Sequence, residues 1–189
     1  MIATARYHAS MPTYAALLRG INVGGKSLIR MAELRACFED GGFDDVATYI
    51  ASGNVVFGSK ERGAAALTGR IEQMLTDRFA LEVAVVLRTG AQMRSVVENA
   101  PSGFGADPSR YRSDVIFLKS PLTPAKAMEV VRTRDGVDQA WRGRGVLYFS
   151  RLTSRATQSR MSAIVGTPAY RLMTIRSWKT TTAIVQLLD

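Results

Sequence analysis

The sequence predicts an α+β protein built from two ferredoxin-like (β-α-β-β-α-β) subdomains. Each is expected to be an antiparallel sheet with helices on one face, and connecting and C-terminal helices are added to the pair. Three observations carry this expectation. Apolar periodicity alternates between strand and helix in the order β-α-β-β-α-β over residues 13–87. The same order recurs after residue 113, and each unit is trailed by one more amphipathic helix. The halves share little identity, so the repeat rests on element order.

Each element has its own signal. Tyr14 to Arg19 reads as a short buried strand. Met31, Leu34 and Phe38 share one face of a helix from Arg30 to Asp40, which Gly41-Gly42 ends. Val46 to Ile50 and Val55 to Gly58 are strands joined by Ala51-Ser52-Gly53-Asn54, a hairpin signal. A helix from Arg62 to Arg78 turns Leu67, Ile71, Met74 and Leu75 inward, and Leu81 to Leu87 alternates as a strand. Thr89 with Gln92 forms a capping box that opens a connecting helix, apolar at Met93, Val96 and Val97. Residues 101–112, with Gly103, Gly105 and Pro108, read as a linker.

In the second half, Asp114 to Leu118 is a strand, and Thr123-Pro124 caps a helix reaching about Arg134. Gln139 to Arg142 and Val146 to Phe149 make a hairpin over Gly143-Arg144-Gly145. Ser154 to Val165 is expected to be a helix stopped at Gly166, and Tyr170 to Ile175 a strand. A closing helix from Trp178 to Leu188 faces inward at Trp178, Thr182, Val185 and Leu188. The expected domains are therefore 13–100, including the connecting helix, and 113–189, including the C-terminal helix. Residues 1–12 are expected to be a disordered tail or to lie upstream of a true start at Met11.

Composition narrows the chemistry. The single cysteine, Cys37, excludes an intrachain disulfide, and its place beside Leu34 and Phe38 reads as a buried, inert thiol. The single histidine, His8, lies in the tail, so Ser–His and Cys–His nucleophile pairs and His/Cys zinc sites are excluded. No carboxylate pair has metal-like or acid–base spacing, and neither a metal nor a cofactor is expected. No apolar run is long enough to span a membrane, and the opening residues lack the apolar core of a signal peptide, so the expected place is the cytoplasm. Net charge is +9, and no Asp or Glu occurs from Gln139 to Leu188. That basic half suits phosphates, nucleic acid or an acidic partner protein, although arginine-rich coding bias would produce the same composition.

The first chemical motif runs from Ala16 to Ser27. Gly20 through Gly25, Lys26 and Ser27 match the phosphate-loop pattern G-x-x-x-x-G-K-[ST]. The surroundings do not fit a nucleotide-hydrolysing loop. The apolar helical stripe begins only at Met31, the expected sheet is antiparallel, and no later strand ends in a carboxylate for magnesium. A weaker reading keeps the turn as an anion site. Gly20, Gly24 and Gly25 permit close backbone approach, Arg19 and Lys26 add charge, and Asn22 adds an amide. Because the first and third strands pair antiparallel, Arg19-Gly20 should meet Ser52, Gly53 and Asn54 at one rim. The same residues also suit a tight turn whose asparagines cap loose backbone groups. Arg176-Ser177-Trp178-Lys179 has two readings as well. Ser177 and Trp178 start a helix, or Arg176 and Lys179 grip an anion while Trp178 stacks a ring.

Leu17 to Lys26, Met31 to Leu34 and Thr48 to Phe57 resemble the family called domain of unknown function 1697, and Thr174 to Thr180 is similar to that family's C-terminal signature. The resemblance covers nearly the whole chain from Met11. It implies two ferredoxin-like subdomains in a bacterial cytoplasmic protein, and it brings no activity with it. The family usually has asparagine at the positions of Ser27 and Ser177.

Three functions therefore stand open. The first is an anion-binding module, for nucleic acid or a nucleotide-like small molecule, using the glycine-rich loop. The second is an enzyme acting on a phosphorylated or carboxylated metabolite. The third is a protein-interaction module with a basic docking surface. Whether the chain is an enzyme, and how it oligomerises, the sequence leaves open.

Overall fold

The structure, a computed structural model, describes residues 11–23 and 28–189. In the first half, β1 (Thr13–Leu18), α1 (Met31–Asp40), β2 (Asp44–Tyr49), β3 (Asn54–Gly58), α2 (Ala64–Phe79) and β4 (Val85–Thr89) follow one another. They build a four-stranded sheet in the order β2-β3-β1-β4. Then α3 (Gly90–Glu98) leads into β5 (Tyr111–Leu118), α4 (Pro124–Val130), β6 (Asp138–Gly143), β7 (Val146–Leu152), β8 (Met173–Ser177) and α5 (Trp178–Leu188). The second sheet has the equivalent order β6-β7-β5-β8, and every strand pair in both sheets is antiparallel. The two sheets form the expected pair of similar α+β subdomains.

Alternation along the strands decides the layers. Ala16, Leu18, Val55, Phe57 and Leu87 point to the outer face of the first sheet, against Leu34 and Phe38 of α1 and Leu67, Ile71 and Leu75 of α2. Ala15, Leu17, Val56 and Val86 point the other way. They share one core with Met93 and Val96 of α3, Ile184 and Leu188 of α5, and Val115, Phe117, Val146 and Tyr148 of the second sheet. The outer face of the second sheet, with Ile116, Leu118, Leu147 and Phe149, packs on Ala127 of α4 and on Ile164. Both sheets are thus covered on both faces, and the two trailing helices fill the seam between them.

Several boundaries differ from the sequence reading. The expected helix from Ser154 to Val165 is instead two 3₁₀ turns, Thr153–Gln158 and Met161–Ile164, and the strand expected from Tyr170 begins only at Met173, after a third such turn over Pro168–Leu172. That stretch offers no apolar stripe: nothing in Thr153–Gln158 is buried, and Ile164 alone is buried in the next turn. The helix after Thr123 stops at Val130, short of Arg134. The fourth strand runs from Val85 rather than Leu81 and ends at Thr89, which also caps α3 through the capping box with Gln92. In α5 the deeply buried positions are Thr180, Thr181, Ile184 and Leu188, while Trp178 and Val185 are partly buried. Within 101–112, Phe104 packs edge-on to Trp141, Tyr148 and Trp178, and Tyr111 already belongs to β5. Cys37 is buried, and burial raises its thiol pKa, in keeping with an inert side chain.

Tyr148 donates its hydroxyl to the Val96 carbonyl across the seam at 2.7 Å, in a fully buried setting. Tyr148→Phe should lower unfolding free energy by about 1–2 kcal/mol without moving the backbone. Denaturant titration checks this, and no loss would mean that the bond contributes nothing.

Candidate functional site

The rim expected from the sequence does form. Leu17 pairs with Asn54, and the Leu18 amide donates to the Gly53 carbonyl at 2.8 Å. Gly20 and Gly53 both have positive φ, at 73° and 74°. A Cβ on Gly20 would meet nothing, whereas one on Gly53 would lie 2.8 Å from the Leu18 Cβ. Asn22 also adopts positive φ. Its amide donates to the Ile29 and Ala51 carbonyls and accepts from the Ile29 amide, so it ties both ends of the loop to the β2–β3 turn. Gly24, Gly25, Lys26 and Ser27 lie outside the described residues. The first helix begins at Met31, three residues after the described backbone resumes. The phosphate-loop context therefore differs from a nucleotide-hydrolysing one, as the apolar pattern indicates.

The other rim residues are engaged with protein. Arg176 is buried and reaches across the seam from β8 into the first subdomain. Its Nη2 donates to the carbonyls of Leu18, Ser52 and Gly53, its Nη1 to Ile175, and its Nε to the Asn54 side chain. Asn54, also buried, donates to the Tyr49 carbonyl and the Ser52 hydroxyl. Burial pulls the Arg176 pKa down to about 10, since no carboxylate pairs with it among the described residues. Arg19 donates through Nε to the carbonyls of Tyr170 and Met173, and its guanidinium lies 4.8 Å from the Tyr170 ring centre. At the start of α5, Ser177 accepts from the Thr180 amide as N-cap, Trp178 packs on Phe104, and Lys179 is exposed. The structure brings the end of β1 to Ser52, Gly53 and Asn54 as expected, with Asn22 tied to Ala51 and the Arg19 side chain turned to Tyr170 and Met173. It also brings Arg176 to this rim, which the sequence reading places only in the separate motif Arg176-Ser177-Trp178-Lys179. At the rim, Arg176 holds carbonyls and the Asn54 amide oxygen in place of an anion.

The sequence reading missed that the second half answers in kind. Arg88 in β4 occupies the position in its sheet that Arg176 occupies in β8, and each stands just before a hydroxyl N-cap, Thr89 or Ser177. Arg88 donates to its own neighbour Leu87 and to the Leu118 and Gly145 carbonyls of the second subdomain. Leu118 and Gly145 are bonded to each other as Leu18 and Gly53 are. Lys119 mirrors Arg19. It donates to the Val85 carbonyl at 3.2 Å and pairs with Glu72 on α2. Burial lowers the Arg88 pKa as well. The paired signals, Arg88-Thr89 with Arg176-Ser177 and Leu18-Arg19 with Leu118-Lys119, are present in the sequence, but only the topology shows that they cross.

A family model described as a protein of unknown function, DUF1697, matches residues 11–148. The chain belongs to the DUF1697 family. Among solved structures, it is similar to the conserved bacterial protein SP0830 from Streptococcus pneumoniae. The two share 28% identity, the match covers 95% of this chain and 100% of that one, and the TM-score is 0.81. No curated protein matches the chain. In this DUF1697 member no described helix is long and apolar enough to cross a membrane, and no group of three or more His, Cys, Asp or Glu that could hold a metal occurs among the described residues.

Removing the Arg176 head leaves several buried carbonyls and Asn54 without a donor. Arg176→Met should cost about 4 kcal/mol, whereas the exposed Lys179→Met should stay within about 0.5 kcal/mol. Equal losses in a denaturant titration would contradict the role given to the Arg176 guanidinium.

Proposed function

We propose that this DUF1697 chain is a binding module for anions, taking phosphate-bearing ligands such as a nucleic-acid backbone or a nucleotide-like small molecule. One observation carries the reading. Where β5 ends at Leu118 and the β6–β7 hairpin turns, Arg142, Arg144 and Arg171 are exposed and make no ion pair among the described residues. Surface cations without partners raise the local concentration of anions and cost little to engage. The covered sheets argue against base stacking on a strand platform, since both faces of each sheet are packed. Contact through phosphates is the mode that remains open to a nucleic acid here. The glycine-rich rim supports the reading less, because Arg19, Asn22, Asn54 and Arg176 already donate to protein acceptors.

The test is fluorescence anisotropy with a labelled single-stranded RNA, repeated with a nucleotide probe by thermal shift. If about three phosphates are neutralised, RNA affinity should fall roughly tenfold or more between 50 and 200 mM salt. The pair Arg142→Glu and Arg171→Glu should remove most of it. Failure of RNA, nucleotide and inorganic phosphate to bind at low ionic strength would overturn the proposal.

A further inference from the structure

Two cavities share Arg88 as a wall. One, of about 280 Å³, is lined by Arg88, Ala91, Gln92, Ser95, Arg144 and Gly145. The other, of about 520 Å³, runs between α2 and β4, and its walls include Ala64, Ala65, Gly69, Val86 and Leu87 as well as Arg88. The second cavity owes its room to the small residues on this face of α2. The first is lined by two arginines and has no carboxylate on its walls. Small-molecule sites of this kind are concave, mostly apolar, and fitted with a few polar groups that fix orientation.

We propose that this seam cavity binds a small organic anion, its acid group on Arg88 and Arg144 and its apolar body against Ala64, Ala65 and Leu87. The inference deepens the anion-binding reading above by giving it a place and a ligand class, and it rests on that reading for the sign of the charge. Three features support it. First, a guanidinium has five N–H donors, and Arg88 gives three hydrogen bonds, all to backbone carbonyls. Its Nε donates to no acceptor among the described residues, although the group is held rigidly in place. Second, Arg88 forms no ion pair among the described residues, so a partly buried positive charge is left without a counter-ion. Third, Lys119 and Glu72 also line the α2–β4 cavity and neutralise each other, which leaves Arg88 and Arg144 to set the sign at the anion end.

The edge of β4 explains why the occupant should be a small molecule and not an added strand. The Val85 amide donates to Glu72, the Val85 carbonyl accepts from Lys119, the Leu87 carbonyl accepts from Arg88, and the Thr89 amide donates to Gln92. Side chains thus occupy most of the edge groups that a pairing peptide would need.

Phenyl phosphate is the probe, titrated into the ¹⁵N-labelled full chain, with the RNA anisotropy assay run on the same variants. Saturable shifts should centre on the amides of Gln92, Ser95, Gly145 and Thr68. Arg144→Ala should weaken binding about tenfold. Ala65→Phe, a change at an exposed helical position, should exclude phenyl phosphate while leaving RNA retention as it was. Both variants are at the surface and avoid the folding risk of replacing Arg88. Absence of saturation at millimolar phenyl phosphate, or shifts that ignore both variants, would overturn the proposal. Phenyl phosphate bound here by a protein that retains no RNA supports the cavity and overturns the nucleic-acid form of the broader reading. RNA retained while phenyl phosphate is refused overturns the cavity alone.

Discussion

Two guanidinium groups, Arg176 buried and Arg88 partly buried, tie this molecule together, each extending from the edge strand of one sheet into the carbonyls of the other. A charged group with no carboxylate partner is costly to bury, and the cost falls only if nearly every donor finds an acceptor. The fold meets that condition at Arg176, whose Nε, Nη1 and Nη2 all donate, and only in part at Arg88, whose Nε has no acceptor among the described residues. At each strand end an outward-turning loop presents carbonyls, Leu18, Ser52 and Gly53 on one side and Leu118 and Gly145 on the other. The glycines at Gly53 and Gly145 have positive φ, which fits the turns that aim those carbonyls at the seam. Turn chemistry, strand register and burial of the arginines are therefore one requirement, and a change in any of them disturbs the others.

That requirement bears on function through what it consumes. Arg176 and Arg19 carry the charges most suggestive of an anion site at the first-subdomain rim, yet their engaged donors tie the two halves together. Arg88, the counterpart of Arg176, is less fully engaged. Arg88 lies on the wall shared by two cavities, and the nearby Arg144 is exposed. The pseudo-symmetry is thus structural at one end of the seam and leaves chemistry available at the other. Small differences account for it. Arg176 receives an extra acceptor from Asn54, whereas the hairpin at Gly145 offers no such side chain to Arg88.

Much of the architecture was legible in the sequence because local signals agreed with tertiary ones. The capping box at Thr89, the proline after Thr123 and the glycine turn at Gly53 lie where the structure has them, and the antiparallel meeting of Leu18 with Gly53 follows from element order alone. Residues 153–172 misled for a physical reason. They have helix-compatible composition and a stop at Gly166 but no apolar stripe, and without a face to bury they collapse into 3₁₀ turns. The site was half legible. The meeting of Arg19-Gly20 with Gly53-Asn54 follows from element order, but the arrival of Arg176 at that rim does not, and whether a guanidinium meets a carbonyl or a ligand depends on burial, which no spacing reveals. Arg88 escaped notice because it lies in a strand of ordinary apolar pattern, with Gly145 and Leu118 far from it in sequence.

If the crossed arginines make the two sheets one cooperative unit, native-state hydrogen exchange measures it most directly. The amides of Ala16 in the first sheet and Ile116 in the second should exchange with the same opening free energy and the same denaturant dependence. One sheet opening at distinctly lower free energy while the other stays protected would contradict the account, since the seam would then not be what binds the halves.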